Sequence, residues 1–129
     1  MQAYTGTVVI NRPPADVFAF VRVPENQPRW AVNFVRSTEA IGDGRYRMQT
    51  PLGELVYRVD ANADHGVVDL VFDTPAGDSV LPTRVVPHPA GSLFLFTLSR
   101  QPGMPDEAWE GGKQGLDEEL AVLKGLLEG

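Results

Sequence analysis

The chain has 129 residues, 43% of them hydrophobic and 22% charged, with a formal net charge of -6 and no cysteine. That is enough apolar material for one domain with its own core, and it excludes a disulfide framework, a thiolate nucleophile and a cysteine metal site. Residues 1–60 carry seven basic and six acidic side chains and residues 61–129 four and eleven, a balance that disfavours a phosphate backbone, so nucleic acid is not an expected partner.

Tyr4 to Ile10, rich in Thr and Val, reads as a strand. Pro13 and Pro14 end it and open a helix, because proline's missing N–H falls where a helix's first turn leaves N–H groups unpaired anyway. ADVFAFV sets Val17, Phe18 and Val21 on one side of a helix of two to three turns, which Pro24 stops. PENQP predicts a second short helical piece closed by Trp30.

Strands are then predicted for Ala31 to Glu39, Arg45 to Gln49, Leu55 to Ala61, Val67 to Asp73, Asp78 to Pro87 and the run SLFLFTLSR. Between them lie the turn signals Asp43-Gly44, Pro51 to Gly53, Asp64-His65-Gly66, Pro75-Ala76-Gly77 and PHPAG. Alternation puts Leu55, Tyr57 and Val59 on one face of their strand, and Val68, Leu70 and Phe72 opposite Asp69 and Asp73 on theirs. Pro82 suggests an edge or a bulge. SLFLFTLSR is apolar on both faces, as a well-covered strand would be.

Pro105 and the acidic pair Asp106 and Glu107 suit a helix start. Trp109, Lys113, Leu116, Leu120, Leu123 and Leu127 recur at three- and four-residue spacing, which predicts a long amphipathic helix. Gly111 and Gly112 weaken its first turns and imply a bend, a close approach to the sheet, or a frayed start. Loops this short favour antiparallel pairing, and only the last helix is long enough to cover a sheet. The expected class is α+β, in one domain spanning 1–129. No apolar run reaches the length of a membrane-spanning helix. MQAYTGTVVI lacks a basic leader with a long apolar stretch, so the cytoplasm is the default location.

Three segments carry a resemblance: VVINRPPADVFAFVRVPENQPRW near the start, RVVPHPAGSLFLFTL, and the terminal GLDEELAVLKGLLE. Together they resemble the START/Bet v 1-like helix-grip proteins, and within them the SRPBCC or polyketide cyclase/dehydrase group. The resemblance implies a seven-stranded antiparallel sheet curled around the C-terminal helix, two short helices closing one end, and an apolar cavity between sheet and helix. It implies no shared catalytic motif and no cofactor. The chain is short for such a fold, which implies a small cavity or one open at an end.

In that fold the inward residues of the sheet would be Phe34, Tyr46, Met48, Tyr57, Val59, Leu70, Phe72, Phe94 and Phe96. Trp109, Leu116 and Leu120 would face them from the helix, with Phe18 and Trp30 at the closing end. The same side chains equally suit a filled core. Arg84, mid-strand in VLPTRVV, either anchors a ligand anion from inside or pairs with Asp69 or Asp73 on the outer face. His65 and His88 sit in turns and make no zinc spacing with the scattered carboxylates. There is no GxSxG elbow, GxGxxG or Walker loop.

Three functions follow. The first is binding of a small hydrophobic or aromatic molecule. The second is a cyclase, aromatase or dehydratase acting by proximity, with Arg84 or a tyrosine stabilising an oxyanion. The third is a protein-interaction domain with little cavity. Homodimerisation stays open, because no interface is legible.

Overall fold

A computed structural model describes residues 1–129. In chain order the elements are β1 (Ala3–Ile10), α1 (Pro14–Val21), a 3-10 turn (Pro24–Asn26), α2 (Gln27–Trp30), β2 (Ser37–Gly42), β3 (Arg45–Thr50), β4 (Gly53–Asn62), β5 (Val67–Thr74), β6 (Gly77–His88), β7 (Gly91–Ser99) and α3 (Asp106–Glu128). The strands form one antiparallel sheet in the order β1-β7-β6-β5-β4-β3-β2. The α+β class, the seven strands, the two short helices after β1 and the long last helix are those the sequence predicts.

Register divides the sheet into two faces. Tyr46 pairs with Tyr57, Tyr57 with Phe72, Leu70 with Leu81, Thr83 with Phe96, and Phe96 with Gly6. Side chains in such cross-strand rows share a face, and this is the inner one. Gly6 fixes that assignment, because a Cβ built there would lie 2.9 Å from the side chains of Leu116 and Leu120. The absence of a side chain lets α3 approach β1 closely.

The core is one continuous cluster. It joins Ile10, Val68, Leu70, Val85 and Phe94 of the sheet to Val17, Phe18 and Val21 of α1, Trp30 of α2, and Leu116, Leu120 and Leu123 of α3. α3 packs mainly along β1 and against α2. Inward-facing Tyr46, Leu55, Val59, Phe72, Leu81, Phe96 and Leu98 are only partly buried around this core.

Three local expectations are decided by the structure. Ala31 to Arg36 is not strand; pairing begins at Ser37, opposite Gln49. The N–H groups of Asn33 and Phe34 in this connection go to the carboxylate of Glu119 instead of to a sheet partner. Pro82, opposite Asp69, lies just outside the first β6–β7 pair, Thr83–Phe96, where β6 pairs with β5 alone, so it occupies a local edge at which no N–H to β7 is required. Gly111 and Gly112 lie within an unbroken helix, and a Cβ at either would meet nothing within 4 Å, so neither marks a close approach.

Candidate functional site

The corner between β1 and α1 is tied to the end of α3. The N–H of Asn11 donates to Glu128 Oε2 at 2.8 Å, and Arg12 donates through a terminal guanidinium nitrogen to the carbonyl of Leu127, also at 2.8 Å. That places a cation on the last carbonyls of the helix, where the backbone dipole is negative. Lys124 Nζ reaches the carbonyl of Val9 at 2.7 Å. With this end held, the chain from Arg22 onward crosses the sheet's open side toward β2. Thr38 Oγ1 donates to the carbonyl of Pro24 at 3.0 Å and fixes the 3-10 turn against β2.

Between that turn and the β2–β3 hairpin lies a solvent-open cleft of about 270 Å³ lined by Arg22, Val23, Pro24, Glu25, Gly44, Tyr46 and Val59. Its floor is the inner face of β3 and β4. Tyr46 begins an aromatic row running across three strands. Its ring lies 6.0 Å from Tyr57, and Tyr57 stacks on Phe72 at 5.3 Å. Tyr57 is fully buried, and its hydroxyl donates to Oε1 of buried Gln27 at 2.5 Å. Burial, with the neighbouring Tyr46 and Glu25, pushes the Tyr57 phenol well above its ordinary value, so it stays neutral and serves as a donor. A larger depression, about 420 Å³, lies among Met1, Gln2 and residues 100–104. Its one cationic side chain, Arg100, is already held by Asp106 at 2.5 Å and by the Met104 carbonyl at 2.8 Å, so the first cleft is the better candidate.

Trp30 sits deeper, edge-on to Phe94 and Phe96, with both ring centroids 6.0 Å away. Its buried Nε1–H has no hydrogen-bond partner. Glu119, on the buried side of α3, accepts the N–H groups of Asn33 at 2.9 Å and Phe34 at 3.1 Å. Burial raises its carboxyl above the usual range and adjacent Glu118 adds to this, while the two backbone donors oppose it. No three carboxylate or imidazole side chains converge at metal-binding distance.

Of the residues singled out from sequence, Tyr46 and Val59 line the cleft, and Tyr57 and Phe72 continue its aromatic row. Phe18, Trp30, Met48, Leu70, Phe94, Leu116 and Leu120 belong to the core cluster, with Phe96 packed against it. Trp109 is buried outside that cluster, under Lys113. One placement corrects the expectation of an inner wall, and another decides between two readings. Phe34 is exposed on the α2–β2 connection. Arg84 is on the outer face with Asp69, its guanidinium 2.7 Å from Oδ1, because its inward neighbours are Thr83 and Val85. That is the outer-face ion pair, and no charge is left over for an anchor inside. Arg22, Pro24 and Glu25 were missed as cleft residues. They lie in the proline-punctuated segment between helices, where periodicity carries no signal; the only hint was a charged pair flanking a proline.

The family described as polyketide cyclase / dehydrase and lipid transport matches residues 1–128. No curated protein matches the chain. Among solved structures, the Aha1 dimer from Colwellia psychrerythraea superposes with a TM-score of 0.76 at 13% identity, covering 99% of this chain and 97% of that one. Protein MLL2253 from Mesorhizobium loti gives 0.72 at 20% identity, covering 98% and 96%. DR_A0006 from Deinococcus radiodurans gives 0.72 at 19%, covering 98% of each chain. At these identities the structures speak for the fold. The chain belongs to the polyketide cyclase / dehydrase and lipid transport family.

Proposed function

We propose that this member of the polyketide cyclase / dehydrase and lipid transport family binds a small apolar or aromatic molecule, seated in the cleft on Tyr46 and Val59. The observation that carries the reading is the aromatic row Tyr46–Tyr57–Phe72, whose first member lines the open cleft while its second is locked by Gln27. A flat ligand ring stacks or packs edge-on against the cleft side of Tyr46, whose ring meets Tyr57 at a tilt of 43°. Val23, Pro24 and Val59 supply an apolar rim. At about 270 Å³ the cleft suits one or two fused rings or a short acyl segment, and not a whole lipid.

Binding is favoured over catalysis by what lines the cleft. It holds one tyrosine, one arginine and one carboxylate, without a histidine or a nucleophile beside a base. The two histidines lie in or beside hairpin turns of β4–β5 and β6–β7, outside the cleft lining.

Amide NMR titration with a two-ring aromatic probe tests the reading. Shifts concentrated at Gly44, Tyr46 and Val59, and lost in Tyr46→Ala, are expected. Shifts scattered over the surface, or none at saturating probe, would refute it. Native mass spectrometry of gently purified protein, looking for a retained small molecule, gives independent support.

A further inference from the structure

We infer that the cleft selects ligands carrying a carboxylate, and that Arg22 is the residue that reads it. The inference rests on the proposed binding of an aromatic or apolar body in the same cleft and adds the head group.

The argument begins with charge pairing across the whole molecule. Of eleven Lys and Arg side chains, eight sit within ion-pair distance of an Asp or Glu. The three without an acidic partner are Arg22, Arg29 and Arg36. All three fall in the stretch from the end of α1 to the start of β2, where Glu25 is the only acid. In a chain of net charge -6 this stretch carries a local excess of positive charge. Arg22 alone of the three lines the cleft.

Its guanidinium is also positioned. The central carbon sits 5.4 Å from the centroid of the Phe18 ring, and Phe18 is part of the core. A guanidinium resting against an aromatic ring keeps N–H groups free for a planar two-oxygen partner, and a carboxylate matches that fork. Glu25, on the same rim and without a cation of its own, disfavours a second negative charge. It therefore favours a monoanion over a phosphate dianion. The ligand class is an aryl or short acyl carboxylate, its body on Tyr46 and Val59 and its head at Arg22.

The experiment is calorimetric titration of the full chain at neutral pH with three probes of one shape: 2-naphthoate, 2-naphthalenemethanol and 2-naphthylmethylamine. Naphthoate should bind about fivefold to tenfold more tightly than the alcohol, the scale of one charge-assisted contact at a partly exposed rim. The amine should bind most weakly. Arg22→Gln should abolish the preference, bringing naphthoate affinity down to that of the alcohol measured on the same variant. Arg22→Lys should keep part of it, and Glu25→Gln should increase naphthoate affinity. Arg22 is exposed, so its variants are expected to fold, and circular dichroism checks this. Equal binding of acid and alcohol, or a preference that survives Arg22→Gln, overturns the carboxylate inference and leaves the aromatic cleft standing. Tighter binding of the amine, lost in Glu25→Gln, overturns it in favour of a cationic ligand. Failure of all three probes to bind overturns both readings together.

Discussion

The hydroxyl of Tyr57 donates to Oε1 of Gln27 at 2.5 Å, and both residues are almost completely buried. This one contact joins the middle of β4 to the short helix α2 and fixes the wall from which the candidate cleft is cut. It also joins polar atoms that have no access to water, so each depends on the other.

Tyr57→Phe should therefore destabilise the protein by about 1–3 kcal/mol, because it strands the Gln27 carbonyl without a donor. Adding Gln27→Leu should recover part of the loss, since two matched apolar groups cost less than one orphaned polar group. Urea denaturation of the four proteins in this double-mutant cycle measures both. An ultraviolet titration gives an independent check. The folded phenol's pKa is raised, so stability from Tyr57 is full below about pH 10, the ordinary tyrosine value, and is lost as pH rises above it. Tyr57 should ionise only as the chain unfolds.

Glu119 carries the next prediction, and its sign is opposite to that of a salt-bridged acid. Its folded pKa is raised by burial, so its ionised form costs stability. That cost is absent below the unfolded carboxyl value, near 4.5, and grows as pH rises through the higher folded value. Glu119→Gln keeps an acceptor for the N–H groups of Asn33 and Phe34 without the charge. It should be as stable as wild type or up to about 1 kcal/mol more stable at pH 7, with the difference shrinking toward pH 4. Glu119→Ala should lose about 1–3 kcal/mol, as two donors lose their acceptor. Thermal melts across pH distinguish the two.

Glycines separate into those that are required and those that are not. Gly66 has φ +64, and a Cβ there would lie 1.9 Å from the Val85 carbonyl oxygen, the same turn whose own carbonyl accepts the Val85 N–H at 2.8 Å. Gly66→Ala should cost about 3 kcal/mol, because the obstacle is backbone and cannot swing away. Gly111→Ala, on a helix with open space around it, should instead stabilise by up to about 1 kcal/mol. Chemical denaturation of both variants checks the contrast.

Arg84 tests the division of the sheet into two faces. Arg84→Gln breaks a partly exposed pair with Asp69 and should change stability by less than about 1 kcal/mol. Naphthoate affinity should be unchanged, since the side chain lies on the face opposite the cleft. Calorimetry beside the Arg22→Gln measurement reads the difference directly.

The architecture was legible because it depends on local rules. Prolines at 13, 14 and 24 punctuate the helices, glycine turns delimit the strands, and three- and four-residue spacing marks α3. Alternation also put Tyr57 and Phe72 each on the apolar face of its strand, and the family resemblance implied that those faces, with Tyr46, turn inward. What alternation could not do was relate one strand's parity to another's when a strand is interrupted. Arg84 follows Pro82, so its side stayed open between the two faces, and Phe34 lies where the strand pattern was already imperfect and falls outside β2 altogether. The start of β2 was misplaced for a related reason. In the stretch from Ala31 to Arg36 the N–H groups of Asn33 and Phe34 find their acceptor on Glu119, a residue far along the sequence.

Sequence by itself thus determined the class, the order of elements and the inner face of most strands, since each follows from chemistry within a few neighbouring residues. The tertiary structure alone decided where the inner face stays open. α3 lies along β1 and α2, leaving the β3–β4 side to the 3-10 turn and its cleft. It also decided which charges are spoken for. Whether Arg22 is free and Arg84 is not depends on which acids come within reach after folding, a matter of distance in space that spacing along the chain does not encode.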